Sequence, residues 1–131
     1  MNGKGMRPKT LAEVARLSLA GDSFDYCLAN FLDEFQLAPT AQGLSEPPAL
    51  LAGRFGDLGH VQDAYLAAAA EELARLHHLP SPGWTAGQER SLHRPWFASP
   101  LAALRAVLLV ESPAGFRERN LFVSANALSR A

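Results

Sequence analysis

The histidines are the first residues to consider, because histidine serves both as a metal ligand and as an acid–base group. His60 lies between Asp57 and Asp63, three residues from each. Ligands at positions i, i+3 and i+6 of a helix drift around its axis and do not converge on one metal ion. The neighbouring His77 and His78 point about 100° apart on a helix. We therefore predict no metal site.

Three serines are the next candidates for chemistry. Ser99, Ser112 and Ser124 each precede a short helical segment, where a serine hydroxyl commonly caps the first free N–H groups. None has a neighbouring histidine and acid arranged as a nucleophilic triad, and the glycine-rich stretch lacks the Lys-Ser or Lys-Thr of a phosphate-binding loop. The sequence predicts no catalytic residue and no cofactor, which favours a non-enzymatic protein.

One pair of residues keeps an enzymatic alternative open. Arg54 and His60 have the short Arg-to-His spacing of the HEPN ribonucleases, which are small helical bundles. A chance match is expected in a chain with 12 basic residues and 4 histidines. The glycine-rich surroundings of Arg54 also predict a loop at this position rather than a helix. A HEPN-like ribonuclease is therefore retained as an alternative.

The charged residues are unevenly distributed and indicate two candidate binding faces. Residues 22–74 contain one arginine against nine acids, whereas residues 75–131 contain seven arginines against three glutamates. Such a chain either neutralises its own halves or presents oppositely charged faces to partners. Because arginines are enriched at binding hot spots, we select one basic and one acidic group as candidate partner-binding residues: Arg117, Arg119 and Asn120, and Asp25, Asp33 and Glu34. The alternative is that these arginines pair with the acidic helices of their own chain.

Three amphipathic segments predict the helices that position these residues. Thr10 and Glu13 form a capping box at the start of the first helix, which Gly21 ends. Apolar residues recur every three or four positions from Phe24 to Phe35, and an alanine-rich segment from 58 to 79 predicts the longest helix. Turn-rich connections at 38–57 and 80–99 separate these elements, and we expect Trp84 to pin the second connection to the core.

A further apolar segment, LAALRAVLLV at 101–110, determines the predicted architecture. Nine of its ten residues are apolar, and a helix that is apolar on all sides is expected inside a protein. We predict a helix at about 100–111 that is buried at the centre of the fold. The resulting fold class is all-α, a single-domain bundle of five or six helices over residues 10–131, preceded by a flexible arm at 1–9.

Two observations bear on where the protein resides. Cys27 is the one cysteine among 131 residues, so an internal disulfide is impossible and a reducing, cytoplasmic compartment is expected. No segment approaches the roughly 20 apolar residues of a membrane span, and the N-terminus has no apolar signal segment.

The first two helices also allow a comparison with DNA-binding proteins. The segment TLAEVARLSLAG at 10–21 looks like the opening of a helix-turn-helix reader. The following helix, however, carries Asp25, Asp33 and Glu34 and no Lys or Arg, and acids facing phosphates repel them. Nucleic acid is therefore not the favoured partner, and a nucleic-acid-binding transcriptional regulator is a second alternative.

The last third of the chain resembles a family of small, uncharacterised bacterial all-helical proteins. The similar segments are RPWF at 94–97, the apolar run at 101–109, ESP at 111–113, FRERN at 116–120 and FVSANAL at 122–128. Members look like the first product of two-gene modules whose second product is a nucleotidyltransferase-like protein. The resemblance implies an antitoxin-like partner subunit and no catalytic residue. The acidic face would then occupy a basic site on that partner; association of the protein with its own copies is also compatible with the sequence.

Overall fold

A computed structural model describes residues 7–99 and 101–129. In this part of the chain six α-helices form: α1 Leu11–Leu19, α2 Phe24–Leu37, α3 Gln42–Ser45, α4 Ala52–Leu76, α5 Ala102–Glu111 and α6 Ala114–Arg117. Two 3-10 turns and two short strands complete it: Gly83–Ala86, Gln88–Arg90, β1 Trp96–Phe97 and β2 Leu121–Phe122. The predicted all-α class is therefore confirmed.

The first two helices form where their caps and apolar stripes predict them. The Thr10 hydroxyl accepts the Glu13 N–H at 3.0 Å, and the Ser23 hydroxyl accepts the Tyr26 N–H at 3.2 Å. The two helices pack against each other, and the stripe of α2 is buried through residues that include Cys27 and Phe31. Gly21 has a φ of 115°, which allows the sharp turn between the helices at little steric cost.

Helix α4 is the centre of the fold. The residues buried along it are mostly alanines, with Leu66 and Leu73 among them, and it contacts α1, α6, β2 and both 3-10 turns. Small side chains let all of these elements approach its backbone closely. Its first turn is bent at Gly56, whose φ of 63° falls in the left-handed region. A Cβ at Gly59 would lie within 2.3 Å of the Leu51 carbonyl oxygen, so the bend closes only around a glycine.

A buried polar network attaches the two long connections to α4. The Asp63 carboxylate accepts the Leu51 N–H at 2.7 Å and the Ala52 N–H at 3.2 Å. Burial raises the pKa of Asp63, and these two donors oppose that rise. Arg90 donates to the Pro48 and Asp63 carbonyls at 2.6 and 3.3 Å. Trp84 stacks on Arg90 and donates to the Leu44 carbonyl at 2.9 Å, so its predicted role as the pin of the connection is confirmed.

The last third of the chain folds as a crossover between two parallel strands. Trp96 pairs with Leu121 and Phe97 with Phe122, and parallel strands require a long connection between them. Here that connection contains α5 and α6. The Ser112 hydroxyl, predicted as a helix cap, instead donates to the Leu121 carbonyl at 3.0 Å and ties the middle of the crossover to β2.

Helix α5 forms at the predicted position, but the prediction that it is buried is wrong. Among its described side chains Leu108 alone is buried, whereas five large apolar residues of 101–110 are 43–79% exposed: Leu101, Leu104, Val107, Leu109 and Val110. The space around α4 is already filled by Phe116, Leu121 and Val123, which follow α5 in the chain. The crossover is therefore held by Leu108, by Ser112 and by the packing of α6 on α4, and α5 runs along the outside.

The predicted arm at 1–9 lies partly outside the described residues, which begin at Arg7. Pro8 is buried, and the Lys9 N–H donates to Glu13 at 2.6 Å. Residues 7–9 therefore lie against the first helices. None of the helices in the described part of the chain is long and apolar enough to cross a membrane.

Candidate interaction site

The predicted basic group divides into one exposed and one buried arginine. Arg117 is exposed on α6. Arg119 is only 5% exposed, so its guanidinium does not lie at the surface, where a partner-binding side chain would be. Its guanidinium donates to Glu71 at 3.1 Å, to the Gly115 carbonyl at 2.8 Å and to the Thr85 carbonyl at 2.9 Å. Arg119 thus joins α6 to α4 and to the 3-10 turn, which matches the alternative of pairing within the chain.

Asn120, the third member of that group, is a half-buried turn residue. Its φ of 63° lies in the left-handed region, which asparagine enters more readily than most residues. The side-chain amide donates to the Leu92 carbonyl at 2.8 Å, and the main-chain carbonyl accepts the Trp96 N–H at 2.8 Å. These bonds set the start of the strand pair, so Arg117 is the member of the predicted group that is left at the surface.

The predicted acidic group also divides along α2. Asp33 and Glu34 receive the guanidinium of Arg7 at 3.2 and 3.0 Å, so they hold the beginning of the chain. Asp25 lies two helical turns earlier, is exposed, and lines a cavity. The three acids therefore do not form one continuous face, and Asp25 is the one that borders a cavity.

The exposed apolar surface of α5 is the feature that sequence reasoning missed. Its exposed side chains point in almost every direction around the helix, because Leu108 alone among those described is buried. Arg105 turns back and lies over the Phe97 ring, 5.2 Å from its centroid. The signal was present in the apolar run at 101–110, which only Arg105 interrupts, but such a run indicates an interface as well as a core. Exposed apolar patches of this kind mark interaction sites in soluble proteins.

A cavity of about 690 Å³ lies between α2 and α4, and Leu108 in the last turn of α5 forms part of its wall. Its walls are mostly apolar and include three aromatic rings; the main contributors are Phe24, Leu28, Val61, Tyr65, Trp96 and Leu108. Cavities that hold small molecules in proteins have volumes of about 300–1,000 Å³ and this kind of lining. The cavity is therefore the right size for an organic ligand.

Two uncharged polar side chains of α4, those of Gln62 and Tyr65, line this cavity. The Oε1 atom of Gln62 is buried and receives no hydrogen bond from the described residues. Burial raises the pKa of Tyr65 to about 12, and the nearby Asp25 carboxylate adds to this rise. The Tyr65 hydroxyl is therefore protonated throughout the physiological range. It can both donate and accept a hydrogen bond.

Arg54 and Cys27, two residues whose types can take part in catalysis, have structural roles. Arg54, predicted in a loop, lies in the first turn of α4 and donates to the Leu19 carbonyl at 2.7 Å. Burial raises the pKa of the Cys27 thiol, with a further contribution from Asp22, so this thiol is a poor nucleophile. Among the described side chains, no three histidine, cysteine or acidic residues are grouped as a metal site.

Comparison of the chain with protein-family models, curated proteins and solved structures gave no match. The candidate interaction site consists of the exposed surface of α5 and the cavity beside it. They meet at Leu108, which is buried under α5 and forms part of the cavity wall.

Proposed function

We propose that the protein is a non-enzymatic interaction module that binds a partner protein through α5. The observation that carries this proposal is the exposure of five large apolar side chains on one short segment. Leaving such side chains in water costs about 25 cal/mol for each Å² of apolar surface. A protein partner that covers α5 recovers this free energy.

The shape of α5 indicates what kind of partner surface it fits. A helix exposed on nearly every side forms a convex surface. We call this surface the ridge; its apolar side chains are those of Leu101, Leu104, Val107, Leu109 and Val110. A partner protein can enclose such a ridge in an apolar groove. A second copy of the chain presents the same ridge. Two convex ridges in direct contact bury less surface than a ridge enclosed by a groove, and stable complexes bury roughly 800 Å² per partner. We therefore favour a different protein with an apolar groove over self-association.

Three arginines that lie close to α5 in the sequence suggest the chemistry of the groove's rim. Arg94, Arg105 and Arg117 are exposed, and within the described part of the chain none of them forms an ion pair. They precede, lie on and follow α5 in the chain. Acidic side chains at the rim of the groove would complement them and accelerate association.

The family resemblance suggests the first partner to test. It implies an antitoxin-like subunit that pairs with a nucleotidyltransferase-like protein, and we retain this pairing as the specific form of the proposal. The proposed contact differs from the expected one, because two of the three acids first considered bond to Arg7. The ridge of α5 supports partner binding better than that acidic face does.

The experiment is to mix the purified protein with the product of its neighbouring gene and measure association by size-exclusion chromatography and calorimetry. We expect co-elution at micromolar concentration and a dissociation constant raised about 30-fold or more by Val107→Asp or Val110→Asp. Leu37→Asp is the matched control, because Leu37 is 83% exposed on α2, outside α5. It should leave the dissociation constant unchanged.

Two results would overturn the proposal. One is the absence of association at micromolar concentration with a correctly folded protein. The other is association to which Val110→Asp and Leu37→Asp make no difference. Dimerisation of the protein alone that Val110→Asp abolishes would instead assign the ridge to a second copy. Thermal unfolding of each variant distinguishes these outcomes from simple loss of the fold.

A further inference from the structure

We infer that the cavity between α2, α4 and Leu108 of α5 binds a small hydrophobic molecule that carries a protonated amine. The inference concerns a second ligand, independent of the proposed protein partner. It stands on the size of the cavity, on the charge of its wall and on the hydrogen-bonding groups within it.

The size and lining of the cavity select a small apolar molecule. Its volume of about 690 Å³ falls in the middle of the range occupied by organic ligands. Most of the wall is made of aliphatic and aromatic side chains from α2, α4 and β1, and Leu108 closes it on the side of α5. A strongly hydrated ligand such as a free phosphate would lose its water without finding comparable partners there.

The charge of the wall selects a cation over an anion. Asp25 is the one charged residue of the described lining, which contains no Lys, Arg or His. Three aromatic rings also line the cavity, from Phe24, Tyr65 and Trp96. An organic ammonium is attracted both by a carboxylate and by the faces of aromatic rings. A carboxylate or phosphate ligand would find neither a counter-charge nor a cluster of donors.

The hydrogen-bonding groups of the cavity favour a ligand that donates a hydrogen bond. The buried Oε1 of Gln62 lacks a donor among the described residues, and a buried acceptor is expected to have one. The Ser23 and Ser124 hydroxyls are already engaged by Tyr26 and Asn126. An ammonium group offers up to three N–H donors. It can therefore bond to Gln62 while it faces the rings or the carboxylate of Asp25.

The test compares two probes of similar size and shape with opposite charge, 4-phenylbutylamine and 4-phenylbutyrate. Binding is measured near neutral pH by calorimetry and by the indole N–H resonances of the two tryptophans. We expect the amine to bind at least about tenfold more tightly than the carboxylate. The amine should shift the resonance of Trp96, which lines the cavity. Trp84 is bonded to Leu44 outside this lining, and its resonance should stay in place.

Substitutions in the cavity wall test which side chains bind the amine. Asp25→Asn should weaken the amine about fivefold or more, whereas Asp22→Asn, three residues earlier and outside the cavity wall, should leave its affinity unchanged. Gln62→Met, which keeps the length of the side chain and removes the acceptor, should also weaken it. Equal or tighter binding of the carboxylate, no binding of the amine at millimolar concentration, or equal effects of the two aspartate variants would overturn the inference.

Failure of this inference is distinguishable from failure of the proposed function. Asp25→Asn and Gln62→Met change the cavity wall without changing the exposed ridge of α5. Val110→Asp changes the ridge without changing a residue of that wall. Partner binding and amine binding are therefore lost through different substitutions if both are correct.

Discussion

Helices α4 and α5 differ in burial in the opposite sense to that expected from their apolar side chains. Most of the residues buried in α4 are alanines, whereas α5 carries five larger apolar residues among its ten, and of these Leu108 alone is buried. The difference lies in their neighbours. The small side chains of α4 let several elements pack around it, and in the folded chain these elements occupy the space beside α4. The hydrophobicity of a helix therefore does not by itself determine whether it is buried.

The largest expected effect comes from the same substitution made in each helix. Leu66 on α4 is 0% exposed, so Leu66→Ala should lower the free energy of unfolding by about 3 kcal/mol through lost burial and a cavity. Leu104 on α5 is 43% exposed, and Leu104→Ala should cost less than about 1 kcal/mol. Urea denaturation of both variants measures the difference. Equal losses would show that α5 is buried in solution and would break the comparison.

A smaller difference in the free energy of unfolding is expected between alanine variants of Arg119 and Arg117, which the sequence analysis assigned to one group. Arg119→Ala removes a buried cation and takes one donor each from two carbonyls and from Glu71, which keeps the Thr85 hydroxyl as a donor. We expect it to lower the free energy of unfolding by about 2 kcal/mol. Arg117→Ala, at the exposed position two residues earlier, should change it by less than about 0.5 kcal/mol. Chemical denaturation checks both values, and a large effect of Arg117→Ala would contradict the assignment.

The smallest expected effect concerns Tyr65, which lies at the boundary between the two regions. Burial raises its pKa from 10.0 to about 12 in the folded state, so folding favours the protonated phenol. The resulting stability is complete below about pH 10 and is lost as the pH rises through about 12. At about pH 11 the loss should reach about 1 kcal/mol. Tyr65→Phe should remove this alkaline dependence.

The control for that titration is Tyr26→Phe, because Tyr26 is 68% exposed and is the other tyrosine of the chain. The free energy of unfolding is measured from about pH 9 to about pH 11 for the parent protein and both variants. If the parent and Tyr65→Phe proteins lose stability in parallel, the Tyr65 phenol is open to water. The wall of the cavity would then be looser than the structure describes.

The local features of the fold were accessible from the sequence. Thr10 caps the first helix as predicted, Cys27 lies on a buried stripe, and Trp84 pins its connection. Each of these depends on residues close in sequence or on a side chain with one dominant preference. The long helix was predicted to begin at 58, after a loop indicated by Gly53 and Gly56. A short helical turn at residues 52–55 comes first, and the non-helical backbone of Gly56 separates this turn from the long helix.

The candidate site was less accessible. Arg119 and Arg117 are equivalent in type and neighbours in sequence, and only the approach of Glu71, 48 residues away, makes one of them structural. The cavity joins α2, α4 and residues near both strands, a combination that no local pattern encodes. Asp25 was selected for an acidic face. Its place beside an aromatic cavity became visible only in three dimensions.

The sequence by itself determined the class of the fold, the main helices and the absence of an internal disulfide, because caps, periodicity and composition act locally. The tertiary structure decided which apolar segment is the core and which is a surface. That choice follows from competition for the space around α4, where small side chains admit close packing and later segments of the chain fill what is left. Helix α5 is exposed for this reason, although its own residues are among the most apolar in the chain.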